Sequence, residues 1–178
     1  MKPKRVRSTL LLGNNLDYTA INLAESGKKV WFVSPEVFDK IPDNIVPPEM
    51  QILKLITFIY LKDYKDLLSH LNGIHLWHKI PDIIILSNLD TYCHLYGDNY
   101  DTLLCALVVA TLLDSASVCA KKNGTSYLIS TCSQPSDPHK NKLQVLYDLY
   151  FSHVIEKTAD SDTVCKDIIN YYSNEKDC

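Results

Sequence analysis

Residues 82 to 90 read Asp-Ile-Ile-Ile-Leu-Ser-Asn-Leu-Asp, and this stretch decides the fold class. Pro81 stands before the apolar run, and polar residues follow it. A strand that is apolar on both faces belongs inside a parallel sheet with helices on both sides, because alternation arises only where one face meets water. In doubly wound folds the ligand lies beyond the carboxyl ends of such strands. Ser87 to Asp90 would therefore form part of the floor of any nucleotide site.

Apolar runs and helical patterns alternate along the rest of the chain. Further strands are predicted at residues 8–12, 30–33, 51–60 and 126–132. Helices are predicted at residues 17–26, 64–79, 98–122 and 141–150. Two last strands, at 151–157 and 163–172, would form a C-terminal β-hairpin. This order predicts one α/β domain over residues 1–178, with a mainly parallel sheet covered by helices on both faces.

Length and charge narrow the possible functions. With 178 residues and an apolar share of 46%, the chain can bury one sound core. The formal net charge of -3 gives no whole-chain attraction for nucleic acid. The start of the chain is basic, however, through Lys2, Lys4, Arg5 and Arg7. We interpret residues 1–7 as a basic flexible tail whose cations are candidates for contact with DNA phosphates; a solvated tail without a ligand is the alternative.

Cysteine and histidine spacings match no metal or disulfide pattern. The six cysteines form no CxxC pair and no zinc-finger set with histidine. His75 and His78 stand three residues apart without a paired acid or cysteine nearby. We therefore expect a reduced, intracellular protein without a structural metal. The longest apolar run, residues 103–113, predicts a buried helix rather than a membrane span, which needs about 18 residues or more, so no membrane is expected as a partner.

The loop after the first strand has the place of a phosphate-binding loop but not its residues. Such a loop needs GxxxxGK[ST], because glycines let backbone amides approach the phosphates, lysine neutralises their charge and Ser or Thr binds magnesium. Here Gly13 leads, but no lysine and no second glycine follow. The vestigial loop comprises Gly13, Asn14, Asn15, Asp17 and Thr19.

Two further features bear on nucleotide chemistry. Ser87 stands at the strand end where an acid would hold magnesium, and Asp90 is interpreted as a solvated turn carboxylate rather than as a shifted metal ligand. We expect no catalytic residue, no cofactor and no ATP hydrolysis. Residual ATP binding is the alternative.

The helix predicted at 98–122 is apolar nearly all round, with seven large side chains on more than one face: Leu103, Leu104, Leu107, Val108, Val109, Leu112 and Leu113. A sheet can bury only one of those faces. This pattern predicts an obligate heterodimer in which another chain covers the remainder. Burial of the whole helix within its own chain is the alternative.

The order of the segments resembles a RecA-type ATPase core. It is more similar to one family, the small RecA-like recombinase paralogues that pair with a SWIM-domain protein in the animal Shu complex. The resembling segments run from residue 8 to residue 157 and are these: Leu10-Leu11-Leu12-Gly13, Val30 to Ser34 with the Ile41-Pro42 turn, Asn88-Leu89-Asp90-Thr91-Tyr92, Leu112-Leu113-Asp114-Ser115 and residues 127–134. The chain departs from the family at the phosphate lysine and at the acid that ends the fourth strand.

The resemblance implies a nuclear pseudo-ATPase subunit in homologous recombination. Such a subunit would bind single-stranded or branched DNA together with its SWIM-domain partner and would support recombinase filaments. An alternative is a RecA-like structural subunit without a phosphate loop, as in an Elongator-type tRNA-modification complex. A small nucleotide-dependent enzyme, such as a kinase, is a third class, and the missing lysine argues against it.

Overall fold

A computed structural model describes residues 5–13, 17–37, 46–98, 100–134, 140–156 and 166–171. Six parallel strands form one sheet in the order β3-β2-β4-β5-β1-β6. The strands are β1 (Arg5–Leu12), β2 (Val30–Ser34), β3 (Ile56–Tyr60), β4 (Ile83–Leu86), β5 (Thr125–Cys132) and β6 (His153–Glu156). The predicted α/β class is confirmed, and β4 lies near the middle of the sheet, as its apolar run indicates.

Helices cover both faces of this sheet. They are α1 (Asp17–Glu25), α2 (Met50–Leu53), α3 (Tyr64–Asn72), α4 (Leu89–Cys93), α5 (Thr102–Asn123), α6 (Lys140–Tyr150) and α7 over residues 166–171, and a short 3-10 helix spans Ile74–Leu76. This arrangement is consistent with a minimal RecA-like core. The chain turns into α3 at Asp63, whose carboxylate accepts hydrogen bonds from the backbone N–H groups of Lys65 and Asp66 at 2.8 and 3.0 Å, as expected for a helix N-cap.

The two faces of the sheet carry separate cores. On the first, Trp31, Val33 and Ile84 pack with residues of α3, α4, α5 and α6. On the second, Phe32 and Ile85 pack with residues of α1, with Ile52 of α2 and with Ile168 of α7. Successive residues of β2 and β4 therefore point into different cores, which explains why these strands show no polar alternation.

Its own chain buries about half of the apolar window of α5. Val108, Val109 and Leu112 are fully buried, whereas Leu103 and Leu107 remain 80% and 52% exposed. The chain's own packing therefore covers one side of this helix, and the expectation that a second chain covers the remainder stays a prediction. By length and composition α5 could cross a membrane, a test that the core helix of a soluble protein also passes, and half of its apolar window is buried here.

The C-terminal hairpin, the third strand and the second helix differ most from the sequence prediction. The predicted β-hairpin is wrong, because β6 pairs in parallel with β1 and residues 166–171 are helical; residues 157–165 lie outside the described part. The strand predicted at 51–60 begins only at Ile56, since residues 50–53 form α2. The helix predicted at 64–79 ends at Asn72, where Gly73 caps it.

Candidate functional site

The carboxyl ends of β1 and β5 lie side by side at a switch point of the sheet. The chain leaves β1 into α1, which packs on the second face, and leaves β5 into α6, which packs on the first. Neighbouring strands whose helices lie on opposite faces leave a crevice at their carboxyl ends, where α/β proteins bind ligands. The fold therefore brings Gly13, the end of β4 and the end of β5 to one edge; the sequence predicts the first two of these at one edge.

The vestigial loop begins with a sharp turn. Gly13 has a φ of 85°, a left-handed conformation that favours glycine, and its N–H donates a hydrogen bond to the Cys132 carbonyl at 2.8 Å. Asn14 and Asn15 lie outside the described residues, and α1 begins at Asp17, whose side chain also lies outside them. Thr19 is only 2% exposed. No lysine or arginine occurs between Gly13 and Thr19 to neutralise a phosphate.

The end of β4 is bound to the end of β5. Asn88 adopts a left-handed conformation, with a φ of 57°, and its N–H donates to the Thr131 hydroxyl at 2.9 Å. The Asp90 carboxylate accepts a hydrogen bond from the Ser133 hydroxyl at 2.8 Å and a longer one from the Ser133 N–H at 3.4 Å. Asp90 is thus half-buried and partnered rather than simply solvated. Its bonds join the two strand ends.

Replacing Ser133 by Ala is expected to lower the free energy of unfolding by about 1 kcal/mol, because it removes a hydrogen bond to a partly buried carboxylate. Urea unfolding measures the change. Gln134→Ala, at the exposed neighbouring position, is the matched control and should change stability by less than about 0.5 kcal/mol. Equal effects of the two substitutions would contradict the structural role of the Asp90–Ser133 bond.

Buried thiols beneath this edge remain protonated at neutral pH. Burial raises the pKa of the Cys132 thiol to about 12. A hydrogen bond with Cys105, together with burial, raises the pKa of Cys93. Tyr96 lies next to these thiols. Its hydroxyl donates a hydrogen bond to the Ser133 carbonyl at 2.6 Å and lies 3.3 Å from Cys132 Sγ. Because the thiolate is the nucleophile and the metal ligand, these cysteines have a packing role.

The charges at this edge do not favour the binding of a phosphate group. Five of its carboxylates follow the carboxyl ends of strands or stand at them: Glu36, Asp63, Asp90, Asp101 and Glu156. Within the described ranges, no group of three or more His, Cys, Asp or Glu side chains could hold a metal ion. His75 and His78, predicted on one helix, are separated by the end of the 3-10 helix and are both exposed.

The basic start of the chain is not a loose tail throughout. Arg5 and Arg7 belong to β1, where they pair in register with Thr125 and Tyr127 of β5, and both make further contacts. Lys2 and Lys4 lie outside the described residues. Sequence reasoning missed a different group of cations, the lysines that precede β2, β3, β4 and β5. The signal was available for the lysines before β2, β4 and β5, which stand shortly before predicted strands, but not for Lys54, which lies inside the strand predicted at 51–60.

No model of a known protein family matches this chain, and no curated protein matches it significantly.

Proposed function

We propose that the chain is a non-catalytic, RecA-like subunit of a heterodimeric recombination mediator. In this role it binds DNA together with a SWIM-domain partner in the nucleus and supports recombinase filaments. One observation carries the non-catalytic part of the proposal. At the edge where a nucleotide would lie, the loop from Gly13 to Thr19 has no lysine, and the nearest acid beyond β4, Asp90, is hydrogen-bonded to Ser133.

Phosphoryl transfer depends almost wholly on positioned cations, which a phosphate lysine and a metal-holding acid supply. A fold that keeps the parallel sheet without those groups is suited to a structural role. The exposed stripe on α5, with Leu103 and Leu107, supports an assembly role, because large apolar side chains in contact with water favour a protein partner.

The purified chain is expected to hydrolyse no ATP above the buffer rate. The reason is the missing phosphate lysine, since nothing in the loop offsets triphosphate charge. A coupled phosphate-release assay with and without magnesium measures turnover, and Asp90→Ala serves as the control for contaminating activity. Turnover that survives repeated purification and falls in Asp90→Ala would contradict the proposal.

Affinity purification of the tagged full chain from a nuclear extract, followed by mass spectrometry, tests the partner. A SWIM-domain protein and a recombinase are the expected companions. Elongator subunits in their place would overturn the recombination role and support the tRNA-modification alternative. Recovery of the chain without either set would contradict both assemblies.

A further inference from the structure

A row of lysines lies along the amino-terminal edge of the sheet, opposite the candidate nucleotide edge. Because all six strands are parallel, the residues that lead into each strand meet at this one edge. Four adjacent strands, β3, β2, β4 and β5, are each preceded by at least one exposed lysine. We call these side chains the basic rim: Lys28, Lys29, Lys54, Lys79, Lys121 and Lys122. Arg5, at the start of β1, continues the row beyond β5.

One side chain holds three of the lysine-bearing turns together. Asp82 Oδ2 accepts a hydrogen bond from the backbone N–H of Lys29 at 2.9 Å, and its Oδ1 accepts one from Asn123 Nδ2 at 3.0 Å. Asn123 follows Lys122, and its Nδ2 also donates to the Pro81 carbonyl at 3.1 Å. These hydrogen bonds hold the turns before β2, β4 and β5 side by side. The three turns therefore form one ordered surface rather than separate loops.

An aromatic ring stands beside this rim. Trp77 precedes Lys79 by two residues and packs edge-on against Trp31 of β2, with ring centroids 5.2 Å apart. It also packs against His70, at 4.8 Å. These contacts orient the indole, yet 39% of Trp77 remains exposed. An oriented, partly open indole next to lysines offers a stacking platform for a base and cations for phosphates, as in surfaces that bind single-stranded nucleic acid.

The charges of the two edges differ in sign. Carboxylates near the rim include Glu25, which ends α1, Glu49, which precedes the short helix before Lys54, and Asp82, whose oxygens take part in the bonds above. At the opposite edge carboxylates prevail, with Lys62 and Lys65 as exposed cations among them. The formal net charge of -3 therefore conceals a basic side that attracts a polyanion and an acidic side that repels one.

We propose that the basic rim and Trp77 together form a binding surface for single-stranded nucleic acid. The lysines contact backbone phosphates, and the indole stacks on one base. This inference rests on the proposed role on DNA and assigns that role to the amino-terminal edge of the sheet instead of the first seven residues alone. It concerns a surface of this chain, so its test does not require the partner to be known.

Fluorescence anisotropy of a fluorescein-labelled oligo(dT) measures the binding, with the full chain titrated across salt concentrations. The double substitution Lys121→Ala/Lys122→Ala is expected to weaken binding about tenfold at low salt. It should also reduce the slope of log K against log salt by about 1.4, since each phosphate contact on a single strand contributes about 0.7. Lys62→Ala/Lys65→Ala changes the net charge equally at the opposite edge and should leave affinity and slope unchanged.

Trp77 is tested separately because it acts through stacking. Trp77→Ala should weaken binding about fivefold or more while leaving the salt slope unchanged. The chain has two tryptophans, and Trp31 is only 4% exposed, so oligo(dT) should quench the fluorescence of Trp77. That quenching should disappear in Trp77→Phe, which keeps a ring in the cluster and guards against a misfolded alanine variant.

Three results would overturn the proposal. The first is that the wild-type chain does not bind oligo(dT) at low salt. The second is that the two double lysine substitutions lower the affinity for oligo(dT) equally. The third is that the rim binds phosphatidylserine vesicles but not oligo(dT). The last result would assign the rim to a membrane surface. If rim variants lose oligo(dT) binding but still co-purify with a SWIM-domain protein, both proposals stand. Rim-dependent binding without that partner would support the nucleic-acid surface and contradict the recombination assembly.

Discussion

Replacing Leu112 by Ala is expected to lower the free energy of unfolding by about 2–5 kcal/mol, the range for a leucine truncated in a packed core. Leu112 lies in the middle of α5 and is fully buried. It belongs to the first core, where α5 packs on β1 and β5. Since Leu112 packs where α5 lies against β1 and β5, we expect the cavity to collapse only partly. Urea unfolding followed by circular dichroism measures the loss.

Leu107→Ala is the matched control for this substitution. It removes the same atoms from the same helix, but Leu107 is 52% exposed, so its stability change should stay within about 0.5 kcal/mol. Equal losses at the two positions would contradict burial of α5 by its own chain. A Leu107→Ala variant that is stable but loses its partner in co-purification would place the assembly surface on the exposed stripe of α5.

The fold class could be predicted because the central strands carry an unusually clear signal. Ile83 to Leu86 are all buried, two into each core, so their run of apolar residues has a direct physical cause. The position of the candidate nucleotide edge followed from the same reasoning, since a parallel sheet gathers its carboxyl ends at one side. The sequence therefore predicts that Gly13 and the segment from Ser87 to Asp90 lie at one edge of the sheet.

Local patterns failed where a short segment could form more than one element. Residues 163–172 contain Val164, Ile168 and Ile169, which are compatible with a strand; residues 166–171 form a helix, and Ile168 is 1% exposed in the second core. The periodicity of the sequence likewise could not show which residues pack on α5. An apolar helix looks the same whether α3 and α6 flank it or another chain does, and only the packing of those helices decides.

The basic rim could not be predicted from the sequence, for a different reason. Lys29, Lys79 and Lys122 are far apart in sequence, and each alone reads as a solvated turn or a helix end. They become one surface only through the strand order, which places β2, β4 and β5 next to one another. Composition, which sums the whole chain to -3, hides this separation of charge completely.

Stability is expected to fall on the alkaline side because of the thiol beneath the candidate nucleotide edge. Burial raises the pKa of Cys132 from its ordinary value of 9.0 to about 12. Above about pH 9 the unfolded chain therefore loses this proton while the folded chain keeps it. The stabilisation is complete below the ordinary pKa and is lost as the pH rises towards 12. At about 1.36 kcal/mol per pKa unit, the total loss approaches about 4 kcal/mol.

Urea unfolding of the wild type and of Cys132→Ala, at several values between about pH 8 and about pH 11, isolates this effect. Lysines and tyrosines titrate in both proteins. The difference between the two plots of unfolding free energy against pH therefore reports the ionisation of the Cys132 thiol. The stability advantage of the wild type should narrow with rising pH by up to about 3 kcal/mol, since about two pKa units of the ionisation lie within that range. A constant difference across the range would show that Cys132 ionises as readily in the folded chain as in the unfolded one, and would contradict its burial at the end of β5 beside Tyr96.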